Sequence, residues 1–294
     1  MITTKSASDY IGEDVIKVKQ ITGKGEVNDT HICSTSSNKY ILRINPEESM
    51  LDRFQKEEWC MNQAQKVGVP GADVIKIGMK NDHPYMVLSY IDGVDGDDIE
   101  KNKQVRIWQA LGEYTRKIHS IKVSGFGENM TSDGIFDGSW EEYLEYNISS
   151  LSNQDKLFEL GIITQEKSNL LRNKFTKLRD TFFTFGMIHN DLSLNNTRVS
   201  SDGTIYLLDW GSAEVSVAPH MDLAEILQSS LEENSKEFGL FLEHYGISKQ
   251  EYETMKPDIA SLKLLQCTDK LRWTIDRCPE LITEKTKEFK TALG

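Results

Sequence analysis

Between Val15 and Tyr90 the apolar positions recur in short runs separated by turn-forming residues. Val15 to Val18 alternates weakly, Thr30 to Thr35 and Tyr40 to Ile44 have strand composition, and Val74 to Met79 and Tyr85 to Tyr90 form a pair split by Asn81-Asp82. This pattern predicts a five-stranded sheet. It is interrupted once, from about Met50 to Val67, by a helical spacing that sets Phe54, Glu57, Met61 and Ala64 close together. Past Tyr90 the period changes. Lys103 to Ser120 carries Ile107, Ala110, Leu111, Tyr114 and Ile118 on one face, and helical amphipathicity returns over 140–148, 163–183, 221–245 and 258–277. The change falls at Ser89-Tyr90-Ile91-Asp92-Gly93, which enters an acidic, glycine-marked connection through Asp98. Such a shift in composition is typical of a lobe boundary. The reading is an α+β chain with a small sheet lobe over 1–90 and a larger, mainly helical lobe over 91–294.

One stretch carries chemistry. The apolar run Phe182 to Ile188 leads into the polar loop His189 to Asn196, then a short strand at Thr197 to Val199, a Ser201-Asp202-Gly203 turn, and a second strand, Thr204 to Leu208. The second strand ends on Asp209-Trp210-Gly211, so this hairpin has a carboxylate near each end. Phosphoryl transfer needs a carboxylate to orient the attacking hydroxyl and accept its proton, and hard oxygen ligands to hold magnesium on the phosphates. Asp191 suits the first task, and Asn196 and Asp209 suit the second. The alternative is a polar loop whose Asp and Asn are turn formers.

At these residues the chain resembles the aminoglycoside phosphotransferase and choline kinase group, small-molecule kinases with the protein-kinase fold. The shared features are His-x-Asp-x-x-x-x-Asn at 189–196 and the Asp-Trp-Gly at 209–211. The resemblance implies a two-lobed kinase-like fold, ATP or GTP with Mg²⁺, Asp191 as catalytic base, Asn196 and Asp209 as metal ligands, and His189 as a support for the loop. Ser193 and Leu194-Asn195 depart from the His-Pro-Gly of many drug-modifying members, so the resemblance speaks for kinase chemistry more than for a drug substrate.

Other segments take roles by the same resemblance. Gly23 and Gly25, in the loop from Thr22 to Asp29, would let backbone N–H groups approach nucleotide phosphates; the run from Gly25 to Thr30 resembles the matching loop of sugar-1-kinases. Arg43 lies inside a strand between apolar neighbours and needs a partner. Glu57 is the expected one, with Glu58 as the alternative, in the place of the family's Lys–Glu pair. Arg43 would then hold the α/β-phosphates through its planar fork; an exposed edge-strand arginine is the other reading. The backbone of Ser89, Tyr90 and Ile91 is expected to bond the nucleobase. Pro219 to Ala224 resembles the family's Asp-Leu-Ala segment and makes Asp222 a brace for the catalytic loop. His119 reads as a packing residue.

Composition narrows the classes. With 294 residues and 38% hydrophobic content the chain can bury a core. Its start lacks an apolar signal-like stretch, and no run reaches the about eighteen apolar residues of a membrane span, which points to the cytoplasm and to no membrane partner. Cys33, Cys60, Cys267 and Cys278 have no metal or disulfide spacing. A formal charge of −12 argues against nucleic acid. It suits a cationic acceptor, and it equally suits simple solubility.

Near the C-terminus, Asp269, Trp273 and Asp276 fall along one helical stripe that could hold an ammonium group; with Lys270, Arg272 and Arg277 nearby, an ordinary solvated face is the alternative. The acceptor expected is a small molecule: an aminoglycoside, choline or ethanolamine, an amino sugar or another sugar. The reading from another class is a non-catalytic nucleotide-binding protein. A protein kinase is disfavoured because no Ala-Pro-Glu segment follows Asp209.

Overall fold

The computed structural model describes residues 2–21, 28–152 and 154–293. Helix α1 (Thr4–Ile11) opens the chain, held by a capping box between Thr3 and Ser6. Strands β1 (Lys17–Ile21), β2 (Asp29–Ser34), β3 (Lys39–Ile44), β4 (Val74–Lys80) and β5 (His83–Ser89) form an antiparallel sheet in the order β1-β2-β3-β5-β4. The β4–β5 turn is built on Asn81 and Asp82, both with positive φ, at 51° and 61°. That is the backbone a two-residue hairpin requires, and Asn and Asp tolerate it. Helix α2 (Met50–Lys66) covers the sheet with Phe54, Met61 and Ala64 buried.

The rest of the chain is mainly helical. It comprises β6 (Val94–Asp95), α3 (Lys101–His119), β7 (Phe126–Met130), β8 (Phe136–Gly138), α4 (Trp140–Ser149), α5 (Lys156–Glu159), α6 (Gln165–Asp180) and β9 (Phe185–Ile188). After these come β10 (Thr197–Val199), β11 (Ile205–Leu207), β12 (Glu214–Val217), α7 (His220–Ser229), α8 (Lys236–Tyr245), α9 (Lys249–Arg277) and α10 (Ile282–Leu293). Two small sheets, β11-β10-β6 and β8-β7-β12-β9, sit among the helices. One hydrophobic core runs from Phe54 and Met86 through Trp108 and Leu111 to Trp210 and Phe241, so sheet and helices share a packed interior.

Two helix expectations change. The run 221–245 is two helices, because Ser235 supplies a side-chain cap to the Phe238 amide and starts α8 afresh after the polar segment Glu232-Glu233-Asn234. The last long helix begins at Lys249, not 258: Ser248 and Glu251 form a capping box, and Pro257 is carried inside the helix. No helix is long and apolar enough to cross a membrane among the described residues.

Candidate active site

β9 delivers the chain to His189, and β12 returns beside it with Glu214 opposite Ile188. The segment before Asp191 and the segment after Asp209 are thereby held side by side. His189 is fully buried; its Nε2 lies 3.1 Å from the Leu208 carbonyl and its ring meets the Trp210 ring edge-on at 4.8 Å. It supports the strand end that leads into Asp209.

Asp222, in the first turn of α7, braces the loop from below. Its carboxylate accepts the Asn190 amide at 2.8 Å and the His189 amide at 3.3 Å. It also meets His119 Nε2 at 2.9 Å, and His119 Nδ1 lies 2.9 Å from the Tyr245 hydroxyl. Burial alone would raise the Asp222 pKa, but the His119 contact and the backbone donor hold it below the usual carboxylate range. His119 is therefore part of the brace as well as of the packing. With φ at +60°, Asn190 turns the chain so that Asp191 stands at the loop surface.

Asn196 closes the loop by donating from Nδ2 to the Asp191 carbonyl at 2.9 Å, which leaves its side-chain oxygen free. Asp209 also has a positive φ, +57°, and its carboxylate is exposed at the end of the β10–β11 hairpin. Neither the Asp191 nor the Asp209 carboxylate accepts a hydrogen bond within the described residues. An exposed carboxylate and an amide oxygen, both hard donors that accept no hydrogen bond among the described residues, fit magnesium.

Arg43 and Glu57 form an ion pair at 2.5 Å, with Glu57 buried and Arg43 stacked 5.3 Å from the Phe54 ring centre. Glu57 is thus the partner, and Arg43 is not an edge-strand residue, since β3 lies between β2 and β5. Burial acts to lower the Arg43 pKa; the carboxylates of Glu57 and Asp209 outweigh it and leave it raised. At the end of β5, the Ser89 amide donates to the Asp73 carbonyl at 2.9 Å and the Tyr90 amide to the Lys39 carbonyl at 3.3 Å, whereas the Ile91 amide is unpaired within the described residues. Gly23 and Gly25 lie outside the described residues.

Beside Asp191 is a polar pocket of about 270 Å³, lined by Glu225 and Gln228 of α7, Gln266 and Lys270 of α9 and Glu288 of α10. Burial raises the Glu225 pKa, Ser229 opposes, and the charge of Asp191 adds to the rise. The stripe Asp269, Trp273 and Asp276 does not line this pocket. Asp269 faces Asn147 and Tyr143 of α4, which act on its carboxylate, Asp276 pairs with Lys156 of α5, and Trp273 is exposed. The stripe lies on the side of α9 that packs against α4 and α5, while the pocket takes Gln266 and Lys270.

Sequence reasoning missed Lys56. It is buried, and its ammonium donates to the Gly211 carbonyl at 3.0 Å and to Ala213 at 2.7 Å. The signal was available in the spacing, since Lys56 and Cys60 are one helical turn apart beside the Glu57, Met61 and Ala64 face. The pocket acids Glu225 and Glu288 were also missed, because only the packing of α7 and α10 against α9 brings them together.

Comparison with known proteins places this geometry in a family. The structure superposes on a thermostable mutant of aminoglycoside phosphotransferase APH(4)-Ia with a TM-score of 0.71 at 16% identity, covering 99% of this chain and 98% of that one. It superposes on aminoglycoside phosphotransferase APH(2")-IIIa with a TM-score of 0.68 at 14% identity, covering 95% and 93%. Choline kinase LicA from Streptococcus pneumoniae gives 0.65 at 20% identity, covering 99% and 98%. These likenesses show the fold. No curated protein matches the sequence. The family model described as phosphotransferase enzyme family, APH, matches residues 17–257, most of the chain including the whole 189–211 stretch, and the chain therefore belongs to that family.

Proposed function

We propose that this chain transfers the γ-phosphoryl group of ATP or GTP to a hydroxyl of a small acceptor seated in the pocket beside Asp191. Residues 1–90 serve as the nucleotide-binding lobe and 91–294 as the catalytic lobe. The observation that carries the reading is the pair of carboxylates, Asp191 and Asp209, that accept no hydrogen bond among the described residues and stand near the two ends of one braced hairpin. These two are held in place by their backbones while their oxygens accept no hydrogen bond among the described residues. Solved relatives of the same fold carry ADP with hygromycin B, and GDP with kanamycin.

Asp191 orients the acceptor hydroxyl and takes its proton as the new O–P bond forms and the bond to the leaving diphosphate breaks. Arg43, aimed by Glu57, holds the nucleotide phosphates. The Asn196 side-chain oxygen and the Asp209 carboxylate are the magnesium ligands, and the bound ion supplies neutralisation of phosphate charge. The unpaired Ile91 amide is the donor for the nucleobase, since the Ser89 and Tyr90 amides are already used. Gly23 and Gly25 complete the phosphate contacts.

An acceptor bearing an amine suits the pocket, where Asp191 and Glu225 stand against the cation Lys270, and Glu288 is already paired with Lys285 at 2.6 Å. This acid cluster takes the place of the 269–276 stripe in the amine-binding proposal. Release of ADP, measured against a panel of aminoglycosides, choline, ethanolamine, amino sugars and neutral sugars, tests the reading. Acceptor-dependent ADP release that vanishes in Asp191→Asn supports it. Nucleotide binding with no turnover on any acceptor would favour a non-catalytic nucleotide-binding protein instead.

A further inference from the structure

We infer that Lys56 is a positioning residue that ties the metal-holding loop to the phosphate-holding arginine through a single turn of α2. The inference rests on the kinase reading above and adds a residue to it. Lys56 and Glu57 are neighbours on α2, and both are buried, at 4% and 3% exposure. Glu57 reaches strand β3 and fixes Arg43. Lys56 reaches the other way, to the carbonyls of Gly211 and Ala213, two and four residues past Asp209.

An ammonium stripped of water is retained in a protein interior only where fixed acceptors replace its hydration. Lys56 finds two such acceptors in the loop, with bonds of 3.0 and 2.7 Å. Glu214, the next residue along, feels the same charge: burial first and Glu128 second push its pKa up to about 7, and Lys56 works against them. The strand ahead of Asp209 is pinned as well, since the Leu207 amide donates to the carbonyl of Pro70, just beyond α2, at 2.9 Å. Asp209 is thus held on both sides, by α2 and by the segment just after it, while its own carboxylate accepts no hydrogen bond among the described residues. Its positive φ, +57°, is one that Asp adopts more readily than most residues, and the contacts on either side hold the loop in place around it. Sliding or rotating α2 displaces Arg43 and Asp209 together. The spacing between the cationic fork and the acidic ligand, which must match one nucleotide phosphate chain, is accordingly set by one rigid helix.

The test uses the full chain and Mg²⁺ with ATP as probes. Calorimetric titration of ATP at a series of magnesium concentrations is compared between wild type and Lys56→Met. The expected result is a rise of about tenfold in the magnesium concentration for half-maximal ATP binding, with little change in binding of ATP without metal. Hydrogen exchange at residues 211–214 of the ligand-free chain should quicken in parallel, and Lys56→Arg, which keeps charge and donors, should recover part of both. An unchanged magnesium midpoint in a folded Lys56→Met chain overturns the inference and leaves the kinase reading intact. An equal loss of metal-free ATP binding also overturns it, as does failure of both variants to fold, because either makes Lys56 a general support of the core. Wild-type protein that binds no Mg·ATP would overturn the kinase reading, and this inference with it.

Discussion

The loop from His189 to Asn196 and the last turns of α9, from Asp269 to Asp276, present the same ingredients: acids with a tryptophan close by. The fold treats them in opposite ways. Around Asp191 the backbone is braced, the His189 and Asn190 amides by Asp222 and the Asp191 carbonyl by Asn196, while the Asp191 carboxylate accepts no hydrogen bond among the described residues. On α9 the acids themselves are taken up by the packing: Asp269 is turned to Asn147 and Tyr143 of α4 with burial raising its pKa, and Asp276 is paired with Lys156. Trp210 is buried against His189, whereas Trp273 is 55% exposed. The lesson is that residue type and spacing nominate both regions, and the bonding state of the carboxylates separates them. A side chain meant to meet a ligand is held by its surroundings and kept free at its tip.

The largest expected effect lies at the free tip. Asp191→Asn should lower kcat by about 10² to 10⁴ while sparing Mg·ATP affinity, measured by steady-state kinetics beside calorimetry. The matching change on the helix, Asp269→Asn, should leave kcat and both Michaelis constants near wild type. A catalytic defect in Asp269→Asn, or a normal rate in Asp191→Asn, breaks the comparison.

Next come the braces. Asp222→Asn should destabilise the chain by about 3 kcal/mol in chemical denaturation, because a buried charge with matched donors loses its role. The pKa of Asp222 is lowered in the folded state from 3.8, so its contribution is present above 3.8 and is lost as pH falls through the lower folded value. Asp269 has the opposite sign. Its pKa is raised from 3.8, chiefly by burial, so its contribution is complete below 3.8 and is lost as pH rises through the folded value. Stability–pH curves should therefore flatten on the acid side in Asp222→Asn and above 3.8 in Asp269→Asn. Identical changes in the two variants would show that the regions do not differ as described.

Smaller still is the phosphate clamp. Arg43→Ala should raise the Michaelis constant for ATP by on the order of tenfold, with little change for the acceptor, and Glu57→Ala should reproduce part of it. Unaltered ATP kinetics in both would remove Arg43 from the nucleotide site. The smallest shift is expected for Glu225→Gln, through pH. Burial raises the Glu225 pKa, so the carboxylate that attracts an amine acceptor forms only as pH rises through that higher value. The Michaelis constant of an amine acceptor should fall with rising pH in wild type and vary less in the variant. A neutral sugar should show no such dependence.

What could be read from the residues alone was local. Strand alternation, the Asn81-Asp82 turn, the helical face with Glu57 and the 189–211 stretch all encode their structure within a few neighbouring positions, where backbone preference and side-chain period act directly. The Arg43–Glu57 pair was legible too, because a charge inside an apolar strand demands a partner and the next helix offers one. Tertiary structure alone decided the rest. It turned His119 from a packing residue into a contact of Asp222, joined Lys56 to a loop 155 residues away, and brought Glu225 and Glu288 to one pocket. The stripe on α9 shows the reason. Period sets which residues share a helix face, but which neighbour that face meets depends on packing between elements distant in the chain, and no spacing rule carries that information. Asp269 and Asp276 were placed correctly on one stripe, and α4 and α5, arriving from more than a hundred residues earlier, supplied their partners.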